Sequence, residues 1–267
     1  MSTRKASVAG TFYPAECSEI EKYIEHFNAI FNESGYKERV DITPRAIIAP
    51  HAGYVYSGFT ANAVYRTIQH MKPKRVIVVG PSHKVFIEGI SIARYDMYET
   101  PCKELMIDNS YSQKIEDKFD FIFFDPAAHN EHSTETQIPF IAHYFKDIDI
   151  VEMVYGRVDY QKISEVLDFV FQDRDNLLVI STDLSHFYDL QSANTLDNIC
   201  LKAIVEKEIR LLDAGCEACG KIGVKALLES VNKIGLQSVV VDYRTSADMS
   251  GDSSRVVGYV SAVFYES

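Results

Sequence analysis

The sequence predicts an α/β fold, a mainly parallel or mixed sheet with helices on both faces, arranged as an αβα sandwich. Three observations predict it. Short β-branched runs alternate with longer segments of helical period. Those runs are apolar at nearly every position, as strands covered on both faces are. No linker, repeat or low-complexity tract divides the chain, so residues 1–267 read as one domain. With 46% hydrophobic and 24% charged residues, a chain of this length can fill such a core without staples.

The strand runs are Ala46–Ala49, Arg75–Val79, Gly89–Ala93, Phe121–Phe124, Asp149–Val154, Leu177–Ser181, Ser238–Asp242 and Val256–Phe264. The helical segments between them are Ser18–Phe31, Gly58–His70, Ser110–Lys118, Ser133–Phe145, Tyr160–Phe171, Ser192–Ala203 and Gly223–Ile234. Within Ser133–Phe145, residues Ile138, Ile141, Tyr144 and Phe145 share a face, so that helix packs against the core.

Composition excludes several classes. The 27 Lys+Arg against 38 Asp+Glu, a net charge of −11, argue against nucleic acid or anionic lipid as partner, because phosphate binding runs on clustered cations. Arg4 and Lys5 are followed by no apolar stretch, so the N-terminus does not read as a signal peptide. The longest apolar runs, such as Val76–Val79, fall far short of the ~18 residues that cross a membrane. The five scattered cysteines (17, 102, 200, 216 and 219) read as reduced thiols of a cytoplasmic protein. Cys216-Glu217-Ala218-Cys219 has redox or zinc spacing but no second pair, and its context reads as a turn before a helix. His26 and His143 lie in helical stretches and read as surface or packing residues.

In a parallel sheet, ligands bind outside the carboxyl ends of the strands. Three apolar runs deliver a histidine there: Pro50-His51-Ala52-Gly53-Tyr54 after Ala49, Gly80-Pro81-Ser82-His83 after Val79, and Ser181-Thr182-Asp183-Leu184-Ser185-His186 after Ile180. Imidazoles converging on one edge suit a transition metal when a carboxylate joins them. Asp183, Asp248 and Asp252 are the candidate carboxylates. Without a metal, the same histidines serve acid/base chemistry. A further cluster, Glu131-His132-Ser133-Thr134-Glu135, stands at a helix start, where Ser133 reads as a cap and the helix dipole favours an anion.

Together these motifs resemble the Memo family. Arg4-x-Ala6-x-Val8-Ala9-Gly10-x-Phe12-Tyr13-Pro14, Pro50-His51-Ala52-Gly53-Tyr54-x-Tyr56-Ser57-Gly58, Gly80-Pro81-Ser82-His83, Glu131-His132-Ser133-x-Glu135 and Ser181-Thr182-Asp183-Leu184-Ser185-His186 follow one another in the family's order, ending in Ser250-Gly251-Asp252 and Gly258-Tyr259. Microbial members are called AmmeMemoRadiSam system protein B, after their AMMECR-like and radical SAM neighbours, which the resemblance puts forward as partners. It also implies a fold similar to the catalytic subunit of class III extradiol dioxygenases, which bind non-heme Fe(II) at the end of an α/β sheet.

In animal members, histidines matching His51 and His83 bind iron or copper with a cysteine, and residues matching Asp183 and His186 line the same pocket. Counted without a gap from Tyr243, the cysteine position falls on Met249, beside Asp248. The resemblance therefore implies Fe(II), with Cu or Zn as the other fits, held by His51, His83 and Asp248. His186 or His132 would then act as acid/base and Asp183 would orient His186. The expected activity is that of a dioxygenase-like oxidoreductase acting on a small molecule the sequence does not specify. The alternatives are a metal-dependent hydrolase and a non-catalytic module whose pocket recognises an anionic peptide or a partner protein. An α/β domain of this kind is compatible with a homo-oligomer.

Overall fold

The computed structural model describes residues 1–266. The first part of the chain forms β1 (Thr3–Arg4), α1 (Cys17–Glu33), β2 (Thr43–Ala49), α2 (Tyr54–Thr67), β3 (Arg75–Pro81) and β4 (Ile90–Ile92). Next come β5 (Met97–Glu99), β6 (Glu104–Ile107), α3 (Asn109–Lys118), β7 (Ile122–Phe123), α4 (His132–Glu135) and α5 (Ile138–Tyr144). Then follow β8 (Asp149–Tyr155), α6 (Tyr160–Val170), β9 (Asn176–Ser181), β10 (His186–Tyr188) and α7 (Leu190–Glu206). The chain ends with α8 (Ile209–Asp213), α9 (Lys221–Ile234), β11 (Gln237–Thr245), α10 (Ala247–Ser250) and β12 (Val256–Glu266).

The strands pair in the order β1-β5-β6-β8-β3-β9-β2-β12-β10, with β11 added on β12, β4 on β8 and β7 on β4. The middle of this mixed sheet, β8-β3-β9-β2, is parallel throughout. The sequence expectation of an α/β sheet with helices on both faces therefore holds. Side chains alternate between faces along each central strand. Ile48, Ile77, Val79, Leu178 and Ile180 pack with α6, α7 and α9 through Val166, Leu167, Val170, Ala203, Leu227 and Val231. Their neighbours Ile47, Val76, Val78, Leu177 and Val179 face α1, α2 and α5, meeting Ile20, Ile24, Phe27, Val64, Phe140 and Ile141. Burying each such aliphatic side chain contributes about 1.5–3 kcal/mol relative to exposure.

Three expectations are corrected. The helix expected over Ser133–Phe145 is two helices, because Pro139 has no N–H and breaks the ladder, so it falls in the first turn of α5. The Thr136 carbonyl left free at the break accepts from Tyr54 Oη at 2.9 Å. The cysteines are not all reduced thiols. Cys17 is bonded to Cys102 and Cys200 to Cys216, leaving Cys219 free. Packing brings together positions 85 residues apart in the first pair, which no local pattern reveals. The small strands β1, β5, β6 and β10 were absent from the sequence expectation. They are edge pieces of two to four residues, too short for a periodicity to register.

Candidate metal centre

The central strands end on nearly one level, with Ala49 beside Ser181, and Val79 beside Ile180 and Met153. His51, His83 and Asp183 each stand two residues past such an end, so the parallel register alone carries them to one edge. The fourth group arrives on α4, which lies against β3: Ser133 Oγ donates to the Pro81 carbonyl at 2.7 Å. Gly80 permits that approach, since a Cβ there would stand 2.6 Å from Ser133 Oγ and 3.0 Å from the Thr134 methyl. His132, the first residue of α4, thereby enters the site.

One nitrogen from each of His51, His83 and His132 lies within 4.8 Å of those of the other two. The rings meet at 5.2 Å for His51 and His83, 5.4 Å for His51 and His132, and 4.6 Å for His83 and His132. Each Nδ1 lies beside a side-chain oxygen. His51 Nδ1 is 2.9 Å from Ser181 Oγ, which also accepts from Gln137 Nε2 at 3.0 Å. His83 Nδ1 is 3.1 Å from Glu131 Oε1, and His132 Nδ1 is 2.9 Å from the same oxygen. The His132 contact is close but out of line for a hydrogen bond, so this buried nitrogen has no aligned partner.

Glu131 is fully buried and also accepts from the backbone N–H of His83 at 2.6 Å and of Ser133 at 3.1 Å. Burial works to raise its pKa. The close His132 imidazole and the hydrogen bonds from His83 and Ser133 outweigh it and hold the carboxyl well below the usual range. The start of α4, offered by the sequence as an anion site, is thus filled by the chain's own carboxylate. Burial, helped by the neighbouring His83 and His132, pushes His51 down to about 4 against the pull of Asp183. His51 is therefore a neutral imidazole at pH 7, the form that ligates metal.

Asp183 is also in the site. Its Oδ1 accepts from the His51 backbone N–H at 2.7 Å, and its Oδ2 is 3.9 Å from His51 Nε2. Beside it stands Cys219, with Sγ 3.3 Å from His51 Nε2. The loop after β9 and the start of α9 latch together, Asp183 N donating to Cys219 Sγ at 3.3 Å and Cys219 N donating to the Asp183 carbonyl at 3.2 Å. Gly220 makes this fit possible, since a Cβ there would be 2.6 Å from Thr182 Cβ and 2.8 Å from the Ser181 carbonyl. Burial and the Asp183 carboxylate push the Cys219 thiol up to about 12, so it keeps its proton at neutral pH unless a cation displaces it.

The remaining expected residues are not brought into the ligand group. Asp248 is exposed, its Oδ2 accepting from the Thr245 backbone N–H at 2.7 Å. The reason is strand length. β12 is level with β2 where Ala262 meets Ile48, but β11 runs on from Val240, opposite Ala262, to Thr245, opposite Gly258. Ala49, the end of β2, falls level with Ser261, so three further rungs along β12 carry the end of β11 roughly 10 Å past the sheet edge. Met249, placed by counting at the family's cysteine, is 48% exposed in α10 with Asp248, and the sulfur beside the histidines is that of Cys219. Asp252 is spent on Ser254. His186 is half-buried opposite Val257.

The N-terminal motif closes the site. Phe12 lies over His132 with ring centroids 4.5 Å apart, and its carbonyl accepts from Tyr54 N at 2.7 Å. The segment is pinned by Glu135, which is buried and accepts from Arg4, from the Ser7 and Val8 backbone and from Tyr13 Oη. Arg4 is buried between Glu135 and Glu152.

What the geometry defines is an α/β protein with a cluster of three imidazoles and one thiol at the carboxyl edge of its parallel strands. The Memo-like protein family matches residues 4–263, and the chain belongs to that family. It is 34% identical to a MEMO1 family protein of Aquifex aeolicus, over 99% of this chain and 100% of the relative. It is 32% identical to one of Methanococcus maripaludis, over 97% and 98% of the two chains, and 30% identical to one of Methanobrevibacter smithii, over 98% and 99%. Among solved structures, the uncharacterized protein JW3007 of Escherichia coli K12 overlays 82% of this chain and 99% of its own at a TM-score of 0.49 and 12% identity, too slight a likeness to build on.

Proposed function

We propose that this Memo-family chain is a metal-dependent, dioxygenase-like oxidoreductase that holds Fe(II) between His51, His83 and His132 and acts on a small oxidisable molecule. The observation that supports it is the three-imidazole group, one nitrogen of each ring within 4.8 Å of those of the other two, with Ser181 and Glu131 beside the Nδ1 atoms. Such outer carboxylate and hydroxyl partners fix the tautomer and orientation of ligating histidines. A buried His132 Nδ1 without an aligned bond, and a neutral buried His51, also fit a group that takes a cation.

Bound Fe(II) supplies electron transfer and oxygen chemistry, and Cu or Zn fits the same donors. The chain's own residues do the rest. Asp183 fixes the backbone at His51 and puts a negative charge 3.9 Å from its Nε2. Cys219 sets a sulfur at the rim of the group, a softer donor than the carboxylate expected from Asp248. Phe12 excludes water from one side of His132. With His132 among the ligands, proton transfer falls to His186, half-buried on the wall that β10 and β12 raise beyond the edge.

The test is metal analysis of protein purified without an affinity tag, then anaerobic loading with Fe(II) and screening of catechols and other small oxidisable molecules for oxygen uptake. One iron per chain together with substrate-dependent oxygen uptake supports the proposal. Failure to take up Fe(II) defeats it.

A further inference from the structure

A second donor cluster lies outside the histidine centre. Cys17, the first residue of α1, and Glu21, one turn on, occupy positions i and i+4 of the same helix face. Cys102 is presented to them by the turn between β5 and β6, where Thr100 Oγ1 accepts from the backbone N–H of Cys102 at 3.2 Å and of Lys103 at 3.0 Å. One donor atom from each of Cys17, Glu21 and Cys102 lies within 4.8 Å of those of the other two, and all three residues are half-buried, within reach of solvent. The Glu21 carboxylate is also held by His143, whose Nδ1 is 2.8 Å from Oε2.

In the structure the two sulfurs are bonded to each other, with Cα atoms 4.6 Å apart. A neutral disulfide gains nothing from a carboxylate within reach of both sulfurs. Two thiolates and a carboxylate, with a histidine steadying the carboxylate, form a donor set of the kind that holds zinc. The start of a 17-residue helix also favours the thiolate form of Cys17.

We propose that Cys17, Glu21 and Cys102 form a redox-gated binding site for Zn²⁺, closed as the disulfide and opened by a dithiol reductant. In the opening step the reductant's two thiols become its own disulfide, and their two electrons and two protons pass to Cys17 and Cys102. Zn²⁺ then displaces one proton from each thiol as both sulfurs bind it. Glu21 supplies the third donor and water the fourth.

The experiment uses the full chain, reduced with dithiothreitol, desalted without oxygen and titrated with Zn²⁺ against a chromophoric competitor. Reduced wild type binds one equivalent more than reduced Cys17→Ser/Cys102→Ser, and reoxidised wild type loses that equivalent. Comparing reduced proteins removes any contribution from Cys200 and Cys216, which are thiols in both. Glu21→Gln keeps both sulfurs and changes only the half-buried carboxylate, yet weakens the extra equivalent at least ~10-fold. Equal zinc counts in reduced wild type and the double variant, or an unchanged affinity in Glu21→Gln, overturn the proposal.

Discussion

Two regions of the molecule offered metal-ligating residues, and they fared differently. At the parallel centre, β2 and β3 end within a few residues of one level, and His51 and His83 meet there with His132. On the antiparallel flank, β10, β11 and β12 overshoot that level, and Asp248 and His186 stand outside the ligand group. The lesson is that the end of a strand marks a site only when its neighbours end on the same rung. Being next in sequence to an apolar run is not sufficient.

The sharpest way to break this comparison is to remove an imidazole from the centre. His51→Ala or His83→Ala lowers metal affinity by more than the ~100-fold that the loss of an outer partner can cost, as read by competitive titration. Next in size is Glu131→Gln, which removes the charge shared by His83 and His132 and lowers metal affinity by about 10–100-fold while leaving every ligand in place. Gly220→Ala sharpens the comparison from the cysteine side. Its Cβ meets Thr182 and the Ser181 carbonyl, so chemical denaturation finds a loss of about 1–3 kcal/mol.

A pH prediction follows from His51. Its folded value of about 4 lies below its ordinary value of 6.5, so the unfolded chain takes up the proton first as pH falls. Metal-free protein therefore has the full contribution above pH 6.5 and loses up to about 3 kcal/mol on going down to pH 4, measured by denaturation at several pH values. His51→Asn flattens that slope. The smallest effect belongs to the flank, where Asp248→Ala changes stability by no more than about 0.5 kcal/mol and leaves metal affinity unaltered.

The alternation of apolar runs and helical segments made the central sheet and its two helical layers legible, and the strand-end histidines made half of the site legible. What stayed hidden depended on contacts between distant parts of the chain. His132 was visible at a helix start, but its meeting with His51 depends on Gly80 letting α4 rest on β3. Cys219 sat in a visible Cys-x-x-Cys, yet only Gly220 pressed against Thr182 turns that sulfur toward His51. Glu135 stood in the sequence as a member of the cluster at a helix start, and in the fold it anchors the N-terminal segment. The Cys17 and Cys102 pairing spans 85 residues and left no local trace.

The central claim is that the imidazole trio, without Asp248, holds the metal. The direct measurement is the iron content and Fe(II) affinity of tag-free His132→Ala beside Asp248→Ala, each against wild type. The account predicts that His132→Ala loses iron while Asp248→Ala keeps one per chain with wild-type affinity. Iron lost from Asp248→Ala and retained by His132→Ala would contradict it.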